Sequence, residues 1–253
     1  MNGQPKNGNK LAYLLPNLFT AASLFLGILS VIASSKTQFL TALGFIILSL
    51  FLDGMDGRVA RMTNTTSKFG VEFDSLADLV AFGVAPALLF YFAIGHDFGR
   101  LGSLAAAVFA LFGAIRLARF NVSTSKDEPG VFIGLPIPIT AVVLALWTVI
   151  YTEFKGPAFA ICVIALSFAL SFLMVSNIRY PSFKKIELAR SSLLKVLILL
   201  IVTFSLIWLY PLYISAAIAS GYVFFGLIRV IYAIFKHKKI MFGRKSSEVK
   251  EGE

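Results

Sequence analysis

The sequence predicts an all-α membrane protein, a polytopic bundle of about eight transmembrane helices. Hydrophobic residues make up 58% of its 253 residues and charged residues only 14%, whereas a soluble globular domain has roughly 45–50% and 25%. The apolar residues are gathered in long segments, close to the roughly 20 residues that a helix needs to cross a bilayer. This composition excludes a soluble domain, a disordered chain and a fibrous repeat.

Eight apolar segments are predicted to span the membrane. They run near 16–34, 39–61, 70–94, 101–120, 134–152, 157–175, 193–210 and 211–234. The last two meet at Tyr210-Pro211, where proline readily interrupts a helix. No long polar segment separates them, so we expect one membrane domain over 1–253, with short tails at 1–15 and 236–253.

The first apolar segment has some features of a signal peptide. The first segment follows Lys6 and Lys10, as a signal peptide would, but it is longer than the usual apolar core of about 7–15 residues. We therefore interpret it as a spanning helix.

The single cysteine, Cys162, cannot form an intrachain disulfide, so no disulfide framework is expected.

Basic residues fall almost entirely on one side of the predicted membrane. With a cytoplasmic amino terminus, 20 of the 23 Lys and Arg residues face the cytoplasm, and only Lys36, Arg100 and Lys155 lie on the other side. Cytoplasmic loops carry such an excess, so both termini are predicted to be cytoplasmic. The net charge of +10 then reflects topology. No nucleic-acid partner is expected, because the basic residues are spread over loops rather than gathered on one face.

Four aspartates lie inside the second and third segments, where a charged side chain costs about 2.5–3.5 kcal/mol on insertion scales. At about 100° per residue they fall on two helical stripes set among small residues. One stripe holds Asp53, Asp56, Gly57 and Ala60, and the other holds Gly70, Asp74, Ala77, Asp78 and Ala81. Small residues let another helix or a ligand approach the backbone closely.

The polar stretch 62–69 between these segments is a common reference from which the depth of each aspartate in the membrane can be measured. Asp56 and Asp74 lie roughly 8–9 Å in from it, and Asp53 and Asp78 roughly 14 Å, at about 1.5 Å rise per residue. Asp56 is therefore predicted to face Asp74, and Asp53 to face Asp78, so that the four carboxylates converge near the cytoplasmic side.

Several functions fit four converging carboxylates. Hard divalent cations such as Mg²⁺, Mn²⁺ or Ca²⁺ favour all-oxygen ligands, and a pair of cations can clamp a phosphoryl group. A cation pathway through a transporter and Asp–Arg ion pairs are the alternatives. The transporter would need acidic residues that continue across the bilayer, and the later segments supply none at depth.

The spacing of these residues resembles the signature of the CDP-alcohol phosphatidyltransferases. The matching residues are Asp53-Gly54-x-Asp56-Gly57-x-x-Ala60-Arg61, eight further residues, and Gly70-x-x-x-Asp74-x-x-x-Asp78. Looser fragments resemble the phosphatidylserine synthase branch of that family. They are Leu15-Pro16-Asn17-Leu18-Phe19-Thr20, Arg116-Leu117-Ala118-Arg119-Phe120-Asn121-Val122 and Gly134-Leu135-Pro136-Ile137-Pro138.

The resemblance implies transfer of a phosphatidyl group from a CDP-linked lipid, diacylglycerol or archaeal ether, to the hydroxyl of L-serine, with release of CMP. It also implies two divalent cations, Mg²⁺ or Mn²⁺, and a homodimer. Asp53, Asp56 and Asp74 would hold the metals, and Asp78 would be the general base and a fourth metal ligand. The implied CDP-lipid contacts are Asp53, Gly54, Gly57, Ala60, Arg61 and Gly70.

The serine or phosphate site is less specified by these motifs. Candidate residues are Arg116, Arg119, Asn121, Ser75 and Asn17; arginine suits both carboxylate and phosphate. Thr20 and Asn17 open the first predicted span and are interpreted as a helix cap or a substrate contact. The expected location is the cytoplasmic membrane of a prokaryote, among membrane lipids, with the active site facing the cytoplasm.

Two rivals remain within enzymes. The same transfer to glycerol phosphate or an inositol phosphate would require a denser basic pocket, which Arg116 and Arg119 do not exclude. An intramembrane prenyltransferase would need two aspartate motifs far apart, whereas this chain has one compact set.

Overall fold

The structure, a computed structural model, describes residues 10–63, 67–123, 131–181 and 193–229. Helices dominate it. The elements in chain order are α1 (Lys10–Ser35), α2 (Phe39–Met62), α3 (Lys68–Asp78), a π turn (Leu79–Val84), α4 (Ala85–Ala93), a 3₁₀ turn (Gly95–Phe98), α5 (Gly99–Ser123), β1 (Val131–Ile133), α6 (Ile137–Phe154), α7 (Pro157–Val175), β2 (Arg179–Pro181), α8 (Leu193–Leu209) and α9 (Pro211–Arg229). The predicted all-α class and the polytopic helical bundle are confirmed.

Seven helical segments in the described residues are long and apolar enough to cross a membrane. The seventh predicted segment differs, because it forms α8, which is apolar but shorter than the other seven. The third predicted segment is helical throughout, but it is not a uniform α-helix. The π turn Leu79–Val84 joins α3 to α4 directly after Asp78, and π turns occur frequently at functional sites.

Helices α1 and α2 pack antiparallel through small and hydroxyl side chains. The Ser23 and Ser49 hydroxyls lie 2.6 Å apart, and the Ser30 hydroxyl donates to the Ala42 carbonyl at 2.9 Å. Such contacts satisfy polar groups between helices and let their backbones approach closely. This pairing holds the acidic end of α2 against the beginning of α1.

The core lies where α4 and α6 meet their neighbours. Fully buried side chains include Phe82, Phe90, Leu89, Leu144 and Leu146. In contrast, the apolar side chains of α8 are largely exposed in the isolated chain, as expected for surfaces that face lipid. The packed core therefore supports α3 and α5, which carry the polar residues described below.

A short antiparallel ladder was not predicted from the sequence. Residues Val131–Ile133 pair with Arg179–Pro181 in register, with Phe132 opposite Tyr180. The chain then turns at Gly134, which has a φ of +78° and whose amide donates to the Ile178 carbonyl at 2.8 Å. A Cβ at Gly134 would collide with the Met174 carbonyl oxygen. Only glycine fits this turn.

Candidate active site

The four aspartates lie on two adjacent helices. Asp53 and Asp56 belong to the last turns of α2, and Asp74 and Asp78 belong to α3. The start of α3 is capped by Ser67, whose hydroxyl accepts a hydrogen bond from the Gly70 amide at 3.0 Å. This cap, which the sequence analysis missed, sets where α3 begins and hence the depth of its carboxylates.

The structure brings these carboxylates together. One ligand oxygen from each of Asp53, Asp56 and Asp74 lies within 4.8 Å of the others. The carboxyl groups of Asp53 and Asp78 also lie close to each other. Asp56 is the most enclosed of the first three, with a relative exposure of 5%, while Asp53 and Asp74 are partly exposed.

The donor set fits a hard divalent cation. Carboxylates so close to one another repel unless a proton or a cation lies between them. One oxygen of Asp74, Oδ1, is buried and has no hydrogen-bond partner within the described part of the chain. Buried polar atoms are almost always paired, and oxygen ligands suit Mg²⁺, Mn²⁺ or Ca²⁺. The cluster of Asp53, Asp56 and Asp74 could therefore hold a metal ion.

A buried arginine on α5 acts electrostatically on the deepest aspartate. Arg116 on α5 is only 8% exposed, and its charge acts on Asp78. Its guanidinium also lies 5.5 Å from the centre of the Phe120 ring. Arg116 therefore offsets part of the negative charge of the cluster.

A cavity of about 320 Å³ opens beside the aspartates between α1, α2 and α3. Its walls combine small residues, two of the aspartates and polar side chains. The lining residues are Pro16, Asn17, Thr20, Asp56, Gly57, Ala60, Arg61, Ser67, Gly70, Val71 and Asp74. Four of the six residues predicted to contact the CDP-lipid are therefore on its walls.

Two of the predicted CDP-lipid contacts lie elsewhere. Gly54 is exposed and has nothing within 4 Å of a Cβ built on it, so it does not line this cavity. Asp53 belongs to the carboxylate cluster. Arg61 is itself exposed, but its Nη2 lies 3.9 Å from a Cβ built on Gly57, so the guanidinium folds back over the cavity.

Arg119, predicted to bind serine or phosphate, makes a different set of contacts. Its two Nη groups donate to backbone and side-chain oxygens at the end of α7 and in the turn after β1. The acceptors, at 2.9–3.4 Å, are the carbonyls of Ile133, Met174, Val175 and Ser176 and the Asn177 side chain. Helix ends leave such carbonyls without intrahelical partners. These contacts favour a structural role for Arg119, and its ligand role stays a prediction.

Ser75 and Asn121 were also predicted near the substrate. The Asn121 Nδ2 group donates to the Ser75 hydroxyl oxygen at 3.0 Å, and the pair joins α3 to α5 next to Asp74. The structure therefore pairs these two residues with each other, at a position adjacent to Asp74 in the chain.

The interpretation of Asn17 and Thr20 as a helix cap is wrong, because α1 already includes Lys10. Both residues lie inside the helix and line the cavity. The Thr20 hydroxyl lies 2.7 Å from Oδ2 of Asp56, a contact that the sequence analysis missed. The available signal was the run of small and hydroxyl residues at helical spacing after Thr20.

Comparisons with known proteins identify the family of the chain. A family model described as CDP-alcohol phosphatidyltransferase matches residues 13–175. The chain is 48% identical over 237 residues to a CDP-diacylglycerol–serine O-phosphatidyltransferase of Helicobacter pylori, covering 93% of this chain and 97% of the relative. It is 36% identical over 171 residues to the Bacillus subtilis protein of that name, covering 68% and 92%.

An archaeal relative extends the comparison. The chain is 37% identical over 171 residues to the archaetidylserine synthase of Methanothermobacter thermautotrophicus, covering 66% of this chain and 69% of the relative. The matched region 13–175 includes all four aspartates and every residue that lines the cavity beside them. The chain therefore belongs to the CDP-alcohol phosphatidyltransferase family.

Proposed function

We propose that this protein transfers the phosphatidyl group of a CDP-linked lipid to the hydroxyl of L-serine and releases CMP. The relatives from H. pylori and B. subtilis carry the name of this activity, and the first aligns over nearly the whole chain. One observation carries the proposal. The cluster of Asp53, Asp56 and Asp74 adjoins a cavity that is lined by the glycines and the alanine of the family motif.

Asp53, Asp56 and Asp74 are proposed to hold two divalent cations, Mg²⁺ or Mn²⁺, with Asp78 as a further ligand. Support comes from the 4.8 Å clustering of their oxygens and from Asp74 Oδ1, which has no hydrogen-bond partner among the described residues. When bound, the cations supply positive charge where the transferred phosphate becomes more negative in the transition state.

Asp78 is proposed as the general base. A serine hydroxyl is a weak nucleophile near neutral pH, and a carboxylate within hydrogen-bond reach can take its proton as the oxygen attacks. The new bond joins the serine oxygen to the lipid-side phosphorus, the bond from that phosphorus to the CMP oxygen breaks, and the proton passes to the Asp78 carboxylate. CMP leaves with the electron pair. Asp53 contacts Asp78 and holds it in place.

The cavity between α1, α2 and α3 is proposed to bind the CDP moiety. Gly57, Ala60 and Gly70 keep it open, and a Cβ on Gly70 would lie 3.3 Å from the Asn17 Oδ1 atom. Asn17 shares these walls, so we assign it to the nucleotide rather than to serine. Arg61 reaches the same cavity and suits the pyrophosphate.

Arg116 is proposed to bind the serine carboxylate. It is buried, its charge acts on Asp78, and arginine matches a carboxylate with two parallel hydrogen bonds. A serine anchored there presents its hydroxyl to the proposed base. Ser75 and Asn121 are proposed to line the same side through their mutual hydrogen bond.

The protein is proposed to lie in the cytoplasmic membrane of a prokaryote with both termini and the active site on the cytoplasmic side. The bias of Lys and Arg supports this orientation. It can be tested in intact cells on a Cys162→Ser background, with an impermeant maleimide. Thr63→Cys should be protected and Lys155→Cys labelled; the reverse would overturn the orientation.

A homodimer is also proposed, and crosslinking in membranes tests it.

An acceptor panel tests the proposed reaction. Purified protein in detergent receives CDP-diacylglycerol, Mn²⁺ and one alcohol at a time, and CMP release is measured. We expect release with L-serine, loss of release in Asp78→Asn, and normal release in the control Asp97→Asn. Asp97 is exposed and paired with His96 at 3.1 Å, away from the cluster. Release with glycerol phosphate or inositol phosphate instead would overturn the acceptor while keeping the phosphatidyl transfer.

A further inference from the structure

Helix α1 presents a stripe of small and hydroxyl residues to the rest of the bundle. The buried members are Thr20, Ser23, Gly27, Ser30 and Ser34. Ser23 and Ser30 contact α2 as described above, and the Ser34 hydroxyl donates to the Ser30 carbonyl at 2.8 Å. Thr20 is the member nearest to the carboxylate cluster, and it is 4% exposed.

The Thr20 hydroxyl has two acceptors within reach but only one hydrogen. Its oxygen lies 3.2 Å from the Pro16 carbonyl oxygen and 2.7 Å from Oδ2 of Asp56. Hydrogen bonds to a charged acceptor are shorter and stronger than those to a neutral carbonyl. The hydrogen therefore points to Asp56.

Asp56 is held from outside its own helix by this bond. Oδ2 is occupied by the hydroxyl from α1, and one oxygen of the same carboxylate lies within 4.8 Å of ligand oxygens from Asp53 and Asp74. A carboxylate fixed at one oxygen cannot rotate freely about its χ2 bond. Its other oxygen is therefore kept in a constant direction.

We propose that Thr20 is a positioning residue that orients the Asp56 carboxylate for binding a divalent cation. The inference rests on the proposed function, because it presupposes that the cluster binds metal. Partners that hydrogen-bond a metal ligand typically contribute about 10–100-fold to metal affinity or activity. The alternative is that Thr20 only helps to pack α1 against α2.

A second threonine provides a matched control. Thr140 is fully buried in α6 and donates to the carbonyl of Pro136, four residues earlier, at 2.6 Å. The Thr20 oxygen also lies near the carbonyl of the proline four residues earlier, Pro16, at 3.2 Å, although its hydrogen points to Asp56. Both threonines are therefore buried and four residues after a proline, but only Thr20 contacts the carboxylate cluster. Thr140→Val should repeat the packing and backbone effects of Thr20→Val without touching Asp56.

The experiment compares Thr20→Val, Thr20→Ser and Thr140→Val in the full chain. Mn²⁺ binding is followed by the rise in thermal midpoint in detergent without CDP-lipid, and separately by the Mn²⁺ dependence of CMP release. We expect Thr20→Val to raise the half-saturating Mn²⁺ concentration at least about tenfold in both assays. Thr20→Ser and Thr140→Val should stay near wild type. Thr20→Ala replaces the valine variant if that variant does not fold.

Two outcomes would overturn the inference while leaving the proposed function intact. One is an unchanged Mn²⁺ midpoint in Thr20→Val. The other is a Thr20→Ser variant as impaired as Thr20→Val, since the retained hydroxyl would then not be enough to preserve Mn²⁺ binding. A wild-type protein that shows no Mn²⁺ response in either assay would instead refute the metal site of the proposed function, and the role of Thr20 with it.

Discussion

Replacing Gly27 by alanine would test whether the contact between α1 and the π turn sets the position of Asp78. A Cβ on Gly27 would lie 2.8 Å from the Ala81 Cα atom and 3.1 Å from its nitrogen. Carbon atoms in favourable contact are about 3.5–4.0 Å apart. The obstructing atoms belong to the backbone, so they cannot rotate away. The two helices would have to separate by roughly 0.7–1.2 Å to restore such a contact.

This displacement would also move Asp78, the proposed base. Ala81 follows Asp78 by three residues, about one turn along the same helix face. Overpacking of this kind costs about 1–3 kcal/mol of stability, and a misplacement of about 1 Å can lower a catalytic rate about 100-fold. We therefore expect Gly27→Ala to fold, to melt at a lower temperature and to release CMP about 10–100-fold more slowly.

The assay is serine-dependent CMP release at saturating substrates, measured well below the melting temperature of each variant. Gly44→Ala is the matched control, because Gly44 lies on the exposed side of α2 and a Cβ there meets nothing within 4 Å. We expect the control to keep wild-type activity and melting temperature. Wild-type activity and stability in Gly27→Ala would refute the reasoning.

Three further predictions concern contacts around the site. Ser75→Ala and Asn121→Ala should be non-additive in a double-mutant cycle, with a coupling of about 0.5–1.5 kcal/mol in unfolding free energy; additivity would show that their hydrogen bond contributes nothing. Arg119→Gln should lower the melting temperature, because it leaves helix-end carbonyls unpaired, whereas Arg100→Gln on the opposite side should not; equal effects would contradict this. Gly70→Ala should raise KM for the CDP-lipid several-fold by narrowing the cavity while kcat changes little, and an unchanged KM would argue against nucleotide binding there.

The convergence of the aspartates could be predicted from the sequence because it depends on local geometry alone. Helical periodicity selects which side chains share a face, and the rise per residue sets their depth on either side of the loop. Asp56 and Asp74 are equidistant from that loop to within one residue. The structure places their oxygens, and one of Asp53, within 4.8 Å of each other.

The partners of Arg119 and Asn121 could not be predicted in the same way. Basic and amide residues at the end of a span indicate a membrane interface, but not what they bind. Arg119 reaches carbonyls up to 57 residues later in the chain, and Asn121 pairs with a residue 46 positions earlier. Such contacts depend on how α5 packs against α3 and α7, and no local periodicity encodes that packing.

The contact between Thr20 and Asp56 follows from two facts taken together. The contacts of Ser23 with Ser49 and of Ser30 with Ala42 set the antiparallel register of α1 and α2. That register places residue 52, not residue 56, opposite Thr20. Helical side chains, however, tilt toward the amino terminus of their own helix. Because the helices run in opposite directions, the Thr20 side chain leans toward the end of α2, and the Asp56 side chain leans back toward it. The longer aspartate side chain, together with these tilts, closes the offset of one turn, so the hydroxyl meets the carboxylate at 2.7 Å. A hydroxyl residue at position 20 of α1 therefore reaches Asp56, which is the carboxylate of α2 nearest to the loop.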